Sequence, residues 1–212
     1  MMDFSDGFLG YLELKQDLLF HKIPDEKVPY YVREALEIGR KLGQEFKGKS
    51  PEELLADRNI AVKTDEGDGS FFKVTFRAQF EADRKGNHQV LIYDQSIRAL
   101  AEANQLEMEA MKNIVLMHEF FHYLEYGHGL MVPDQLENIE SFQFLGLSRK
   151  AKVQRTSEIA ANSFTKEALD LPFLPSCYDY IYLLKTGGIT ESELVSEQQQ
   201  YKKLFEKVEK SN

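Results

Sequence analysis

The sequence predicts an α+β fold in which helices at both ends flank a small sheet and one long helix. Three observations support this class. Apolar residues recur with a helical period over residues 8–46 and again from residue 94 onward. Residues 71–80 instead alternate apolar and polar side chains, which is typical of a strand with one buried face. Segments rich in Gly, Asp and Asn separate the strand patterns and indicate turns.

Helices come first in the predicted order. One covers Phe8–Phe20 and a second covers Val28–Phe46, and each has an apolar stripe. A short third helix follows. Ser50 is a suitable N-cap for it, Pro51 suits its first position and Glu53 completes a capping box.

A small, mostly antiparallel sheet is predicted next, with strands at Asn59–Thr64, Phe71–Phe80 and His88–Tyr93. The connecting turns are residues 65–69 and 83–87. The phenylalanines of the middle strand are expected to be sheet core: Phe71, Phe72, Phe76 and Phe80. An edge strand of this sheet could also bind an extended peptide by strand addition.

From Asp94 onward the predicted structure is helical again. Asp94 or Ser96 can cap a helix to Asn104, and a long helix covers about Leu106 to Tyr126, with Gly127 as its stop. An irregular segment with one short helix follows at residues 128–147. The remaining predicted helices are Lys150–Leu169, Ser176–Lys185 and Thr190–Lys210. Residues 1–212 are expected to form a single domain, with N-terminal helices at 1–57, a core at 58–175 and C-terminal helices at 176–212.

The composition excludes several classes of protein. A net charge of -9 and a pI near 5.2 argue against a nucleic-acid-binding protein. No segment has the roughly 20 continuous apolar residues that span a bilayer, and the acidic N-terminal segment lacks the pattern of a signal peptide. Because Cys177 is the single cysteine, no internal disulfide can form. We therefore expect a cytoplasmic protein without membrane or nucleic-acid partners.

The most informative motif is His118-Glu119-Phe120-Phe121-His122, inside the predicted long helix. Residues four apart lie on one face of a helix, so His118 and His122 can bind one metal ion with their imidazoles. Glu119 points beside that ion, where a carboxylate can deprotonate a metal-bound water. The flanking residues are apolar, and buried histidines and a glutamate are unfavourable there without partners. The motif is therefore typical of a zinc peptidase.

A catalytic zinc ion needs a third protein ligand and one open position. Glu158 is one candidate, on the next long predicted helix, where Ala160 and Ala161 allow another helix to approach. His128 is the alternative, and it would have to fold back past the predicted helix end. Asn162 lies one turn after Glu158 and could bind the far nitrogen of a ligand histidine.

The order of these features resembles the ImmA/IrrE-type metallopeptidases, a branch of the gluzincins. In that family, helices and a small sheet precede H-E-x-x-H on a long helix. A helix that begins E-x-x-A-N-x-F and ends in a Leu- and Pro-containing stretch follows. The matching residues here are His118, Glu119, His122, Glu158, Ala161, Asn162, Phe164 and the segment 169–172. The similarity covers about residues 58–175 and departs from the family at Phe121, where a glycine is usual.

The resemblance implies a zincin-like fold, Zn2+ as the cofactor, Glu158 as the third ligand and Glu119 as the general base. The implied activity is hydrolysis of peptide bonds in a protein or peptide substrate by a zinc-bound water. Members of the family often cleave a repressor or another regulator, so a regulatory protein is an expected substrate. Two other interpretations stay open: a catalytically silent zincin-like binding module, and a helical interaction protein in which the motif is accidental.

Hydrolysis also needs a group that stabilises the oxyanion formed at the substrate carbonyl. The tyrosines near the motif are candidates for this role: Tyr126, Tyr178 and Tyr180. The sequence does not distinguish between them, and each could equally serve as a packing residue.

Overall fold

The computed structural model describes residues 4–71, 74–83, 85–129, 131–144 and 147–209. Its α-helices are α1 (Asp6–Leu14), α2 (Val28–Glu45), α3 (Pro51–Ala56), α4 (Asp94–Asn104), α5 (Met108–His128), α6 (Val132–Gln135), α7 (Thr156–Leu169), α8 (Ser176–Thr186) and α9 (Glu191–Glu209). Its strands are β1 (Ala61–Asp65), β2 (Ser70–Phe71), β3 (Val74–Thr75), β4 (Ala78–Ala82), β5 (His88–Tyr93), β6 (Ile139–Phe144) and β7 (Leu147–Ala151). This mixed content confirms the α+β class.

The main sheet is mixed, and the prediction of a mostly antiparallel sheet is wrong. It has three strands in the order β1-β5-β4. β4 pairs antiparallel with β5 across the predicted turn, in which Gly86 has a φ of 81°. β1 pairs parallel with the opposite side of β5. Alternation of apolar residues specifies the faces of a strand but not its direction, so the sequence pattern does not indicate the parallel pair.

The predicted strand Phe71–Phe80 is not a single strand. β2 and β3 form a separate antiparallel pair, and β4 begins only after it. Phe76 and Phe80 are half-buried and line a cavity, and Phe80 also packs against the buried core. Phe72 and the side chain of Phe71 lie outside the described residues.

The long helix α5 continues past Gly127, the predicted stop, and is capped by Gly129 with a φ of 62°. The following segment, predicted to be irregular, contains α6 and the antiparallel hairpin β6–β7. A bulge between Glu140 and Phe142 shifts the register of this hairpin and interrupts the alternation that would reveal a strand. As a result α7 begins later than the predicted Lys150.

Helices α2 and α7 approach each other closely because small residues lie at their contact. A Cβ atom added at Gly39 would lie 2.1 Å from the carbonyl oxygen of Ala160. One added at Gly43 would lie 2.7 Å from the carbonyl oxygen of Phe164. This crossing therefore fixes where α7, and with it the residues of its first turn, lies relative to the rest of the fold.

Gly39→Ala is expected to lower the free energy of unfolding by about 1–3 kcal/mol, the usual cost of forcing a methyl group into a filled contact. Gly127→Ala is the matched control. It lies in a helix too, but its added Cβ would meet nothing closer than 3.7 Å. This control should be neutral or stabilising by roughly 0.5–1 kcal/mol. Denaturant unfolding of both variants measures the difference, and equal effects would contradict the close crossing.

The predicted N-terminal, central and C-terminal segments share one hydrophobic core. Phe8 and Tyr31 from the first segment, Met117 from the second and Leu194 from the third belong to the same buried cluster. The N-terminal helices are therefore integral to the core that supports α5 and α7. Among the described residues, no helix combines the length and the apolar character that a membrane span requires.

Candidate metal centre

Helices α5 and α7 bring His118, His122 and Glu158 together. The Nε2 atoms of His118 and His122 are 3.2 Å apart. Glu158 faces both rings, with Oε2 3.3 Å from His118 Nε2 and Oε1 3.8 Å from His122 Nε2. In the described part of the chain, these three side chains form the group whose ligand atoms all lie within 4.8 Å of one another and could hold a metal ion.

The donor set fits a divalent metal ion. Two imidazoles and one carboxylate are a known set for catalytic zinc. Ligand atoms around a tetrahedral zinc ion are about 3.3–3.4 Å apart when each bond is about 2.0–2.1 Å long, and the observed separations are 3.2, 3.3 and 3.8 Å. The side chains of His118, His122 and Glu158 remain 18%, 22% and 36% exposed, so a small ligand can reach the group.

The charges within the group are complementary. Burial by itself raises the pKa of Glu158, but its hydrogen bond with His118 and the nearby positive charges lower the pKa to about 2. Burial by itself lowers the pKa of His122, but its hydrogen bond to Glu125 and the charge of Glu158 raise the pKa to about 9. Glu158 and His122 therefore stabilise each other's charged forms.

The carboxylate of Glu125 contacts Nδ1 of His122, the ring nitrogen that does not face His118 and Glu158. The Glu125 side chain is only 4% exposed, and its Oε2 lies 3.1 Å from His122 Nδ1. Ser157 donates to Oε2 at 2.5 Å, and the backbone N–H of Val132 donates to Oε1 at 2.9 Å. A carboxylate fixed in this way orients the ring and directs Nε2 towards the metal position, which is the usual arrangement behind a ligand histidine.

Asn162 does not take the predicted far-nitrogen role at His122, because Glu125 contacts that Nδ1 atom. Asn162 instead links backbone groups: its Nδ2 donates to the carbonyl oxygen of Glu158 at 2.8 Å, and its Oδ1 accepts from the N–H of Ser176 at 2.9 Å. Asn162 also lines a cavity that includes His118, His122 and Glu158. Its contribution is to connect the first turn of α7 to the start of α8.

Glu119 lies between the metal group and the edge of the sheet. Its side chain is buried, and its Oε2 accepts a hydrogen bond of 2.8 Å from the backbone N–H of Phe80 on β4. The carboxylate lines the same cavity as His118, His122 and Glu158. Glu119 thus links α5 to β4, an edge strand of the main sheet.

A cavity of about 890 Å³ opens beside the metal group, and two ion pairs lie in its wall. Arg77 contacts Asp179 at 3.1 Å, and Arg155 contacts Glu13 at 2.9 Å. Burial raises the pKa of Glu13 to about 7, with a further increase from the charge of Glu158. The N-terminal helix α1 therefore supplies one wall of this cavity.

The candidate oxyanion-stabilising tyrosines lie in two places. Tyr178 and Tyr180 line the larger cavity. Tyr126 borders a smaller neighbouring cavity of about 390 Å³, which also includes His122 and Glu158. The side chain of His128, the alternative third ligand, lies outside the described residues.

Phe121, the residue before the second histidine of the motif, packs in the core. It is 1% exposed, and its ring centroid lies 5.4 Å from that of Phe164 on α7. This aromatic contact joins the helix of the two histidines to the helix of Glu158.

Several residues of the site are not predicted by the sequence. Glu125 has a local signal, because it lies three residues after His122 and therefore on the same face of α5. Glu13, Arg77 and Asp179 have none, since the tertiary fold alone brings them to the cavity.

Comparison with protein-family models, with curated proteins and with solved structures finds no significant match. Fold and site together thus define an α+β protein whose His-His-Glu group could hold a metal ion.

Proposed function

We propose that the protein is a zinc-dependent metallopeptidase with a zincin-like fold, similar to the ImmA/IrrE-type enzymes. The observation that carries the proposal is the convergence of His118, His122 and Glu158 within 4.8 Å. The carboxylate of Glu119 beside this group, in the same cavity, supports hydrolysis over a purely structural metal, which needs no base.

When bound, zinc supplies Lewis acidity that polarises a substrate carbonyl and makes water easier to deprotonate. Two imidazoles and the Glu158 carboxylate would hold it. The hydrogen bond from the Phe80 N–H fixes one oxygen of Glu119, so its other oxygen can take a proton from water and later pass it to the leaving amine.

The substrate in this proposal is an extended peptide or a protein segment, and a regulatory protein is the expected class. β4 has one side free of pairing within the main sheet, and that side adjoins the cavity. A peptide that pairs with this edge would lie across the metal group, with parts of its chain in both cavities. The charged wall of the larger cavity would contact polar parts of such a substrate.

The proposal is tested with a complex peptide mixture, such as a tryptic digest of a bacterial proteome, in which newly formed termini are identified by mass spectrometry. We expect new termini with the zinc-loaded protein, none after EDTA treatment and dialysis, and recovery when zinc is restored. If the protein binds zinc and produces no new termini in this mixture or in an unfolded protein, the silent binding module replaces the peptidase.

A further inference from the structure

Exposed apolar side chains lie directly beside the metal group. Tyr126 is 58% exposed and Met131 is 37% exposed. Together with the half-buried Phe80 they line the smaller cavity of about 390 Å³, which also reaches His122 and Glu158. Single exposed apolar residues are common on proteins, but a set that adjoins a metal position forms a surface on which a ligand can bury apolar area.

The aromatic members of this surface are held in place. The ring of Tyr126 lies 6.0 Å from that of Phe80 and 5.8 Å from that of His88. Tyr123 packs behind them, 5.9 Å from Phe80. An aromatic surface supported in this way loses little conformational freedom on binding, whereas the flexible Met131 can adapt to ligands of different shape.

The charged groups around this cavity already have partners. Glu125 is engaged by His122, Ser157 and the N–H of Val132. Arg155 pairs with Glu13. Arg155 lines both cavities, whereas the Arg77–Asp179 pair lies only in the wall of the larger one. The exposed apolar surface of Tyr126 and Met131 is therefore available to an apolar group.

We propose that the apolar side of the smaller cavity, which consists of Phe80, Tyr126 and Met131, is a subsite for a large apolar side chain of the substrate, bound next to the metal group. Its volume of about 390 Å³ is near the lower end of the roughly 300–1,000 Å³ that small-molecule pockets occupy. This inference rests on the proposed function, because the subsite has meaning only if the peptide is held at the metal.

Two hydroxamic acids test the subsite without a known substrate. Acetohydroxamic acid and phenylacetohydroxamic acid share a zinc-chelating group and differ by one phenyl ring. Their affinities for the zinc-loaded protein are measured by isothermal titration calorimetry. We expect the phenyl compound to bind roughly tenfold tighter or more, because it buries a ring about as large as that of phenylalanine.

Variants of the cavity residues show where the phenyl ring of phenylacetohydroxamic acid binds. The double variant Tyr126→Ser, Met131→Ser is expected to remove most of the preference for the phenyl compound and to keep the affinity for acetohydroxamic acid, which shows that the metal centre is intact. Phe76→Ser, a change in the wall of the larger cavity, is the matched control and should keep the preference. Equal affinities in the wild-type protein overturn the subsite. A preference that survives the double variant, or one that Phe76→Ser abolishes, also overturns it.

The subsite and the proposed function fail in different ways. If both hydroxamic acids bind with the expected preference but no peptide is hydrolysed, the subsite stands and the peptidase is wrong. If the protein binds neither zinc nor either compound, both are wrong.

Discussion

Glu119→Gln is expected to keep the bound metal and to lower the rate of hydrolysis by roughly 10²–10⁴-fold, the usual contribution of a general base. Glutamine has nearly the same shape and can still accept the hydrogen bond from the N–H of Phe80, which is 2.8 Å long in the wild-type protein. It cannot take a proton from water. Hydrolysis of a peptide identified in the digest and zinc content are measured on the same preparation.

Glu109→Gln is the matched control for this change. It makes the same chemical substitution on the same helix, at a side chain that is 66% exposed and is not among the described residues that line either cavity. Wild-type activity is expected. Unchanged turnover in Glu119→Gln would assign the base to another residue, and loss of zinc in that variant would show that Glu119 acts on the metal itself.

Glu158→Ala is expected to lower zinc affinity by more than the roughly 10–100-fold that loss of a group behind a ligand histidine costs. The variant removes the carboxylate that lies 3.3 Å from His118 and 3.8 Å from His122 and leaves two ligands. Zinc affinity is measured by competition with a chromogenic chelator. Glu125→Gln should fall within that 10–100-fold range, because it weakens only the support of His122.

Glu167→Ala controls for removing an acid from α7. Glu167 lies on the same helix but is not among the described residues that line either cavity. It should bind zinc as the wild-type protein does. Wild-type affinity in Glu158→Ala would move the third ligand elsewhere, with His128 as the next candidate.

The parts of the fold that the sequence predicts are those with local causes. Helical periodicity predicts α2, α5 and α9 to within two residues at each end, and Thr190 and Glu193 form a capping box before α9 with reciprocal hydrogen bonds of 2.7 and 3.2 Å. The parallel pairing of β1 with β5 is a long-range contact, and the bulge in the hairpin β6–β7 interrupts its alternation of apolar residues. Neither leaves a period in the sequence that identifies it.

In the metal site, too, the sequence predicts the residues whose placement has a local cause. His118 and His122 are predicted by their spacing on one helix, and the structure places the predicted third ligand, Glu158, beside them. The sequence does not predict the residues that form the wall of the larger cavity. Glu13 reaches the cavity only because α1 packs against α7, which no motif near position 13 indicates. For Asn162, spacing indicates its proximity to Glu158 but not the backbone groups of Glu158 and Ser176 to which it bonds.

Zinc content of the purified wild-type chain tests the central claim most directly. Elemental analysis is made after incubation with zinc and exhaustive dialysis, alongside the double variant His118→Ala, His122→Ala. A zinc-to-chain ratio near unity in the wild type and near zero in the variant is expected. A wild-type chain that holds no zinc, or a variant that holds as much as the wild type, would contradict a metal centre at His118, His122 and Glu158.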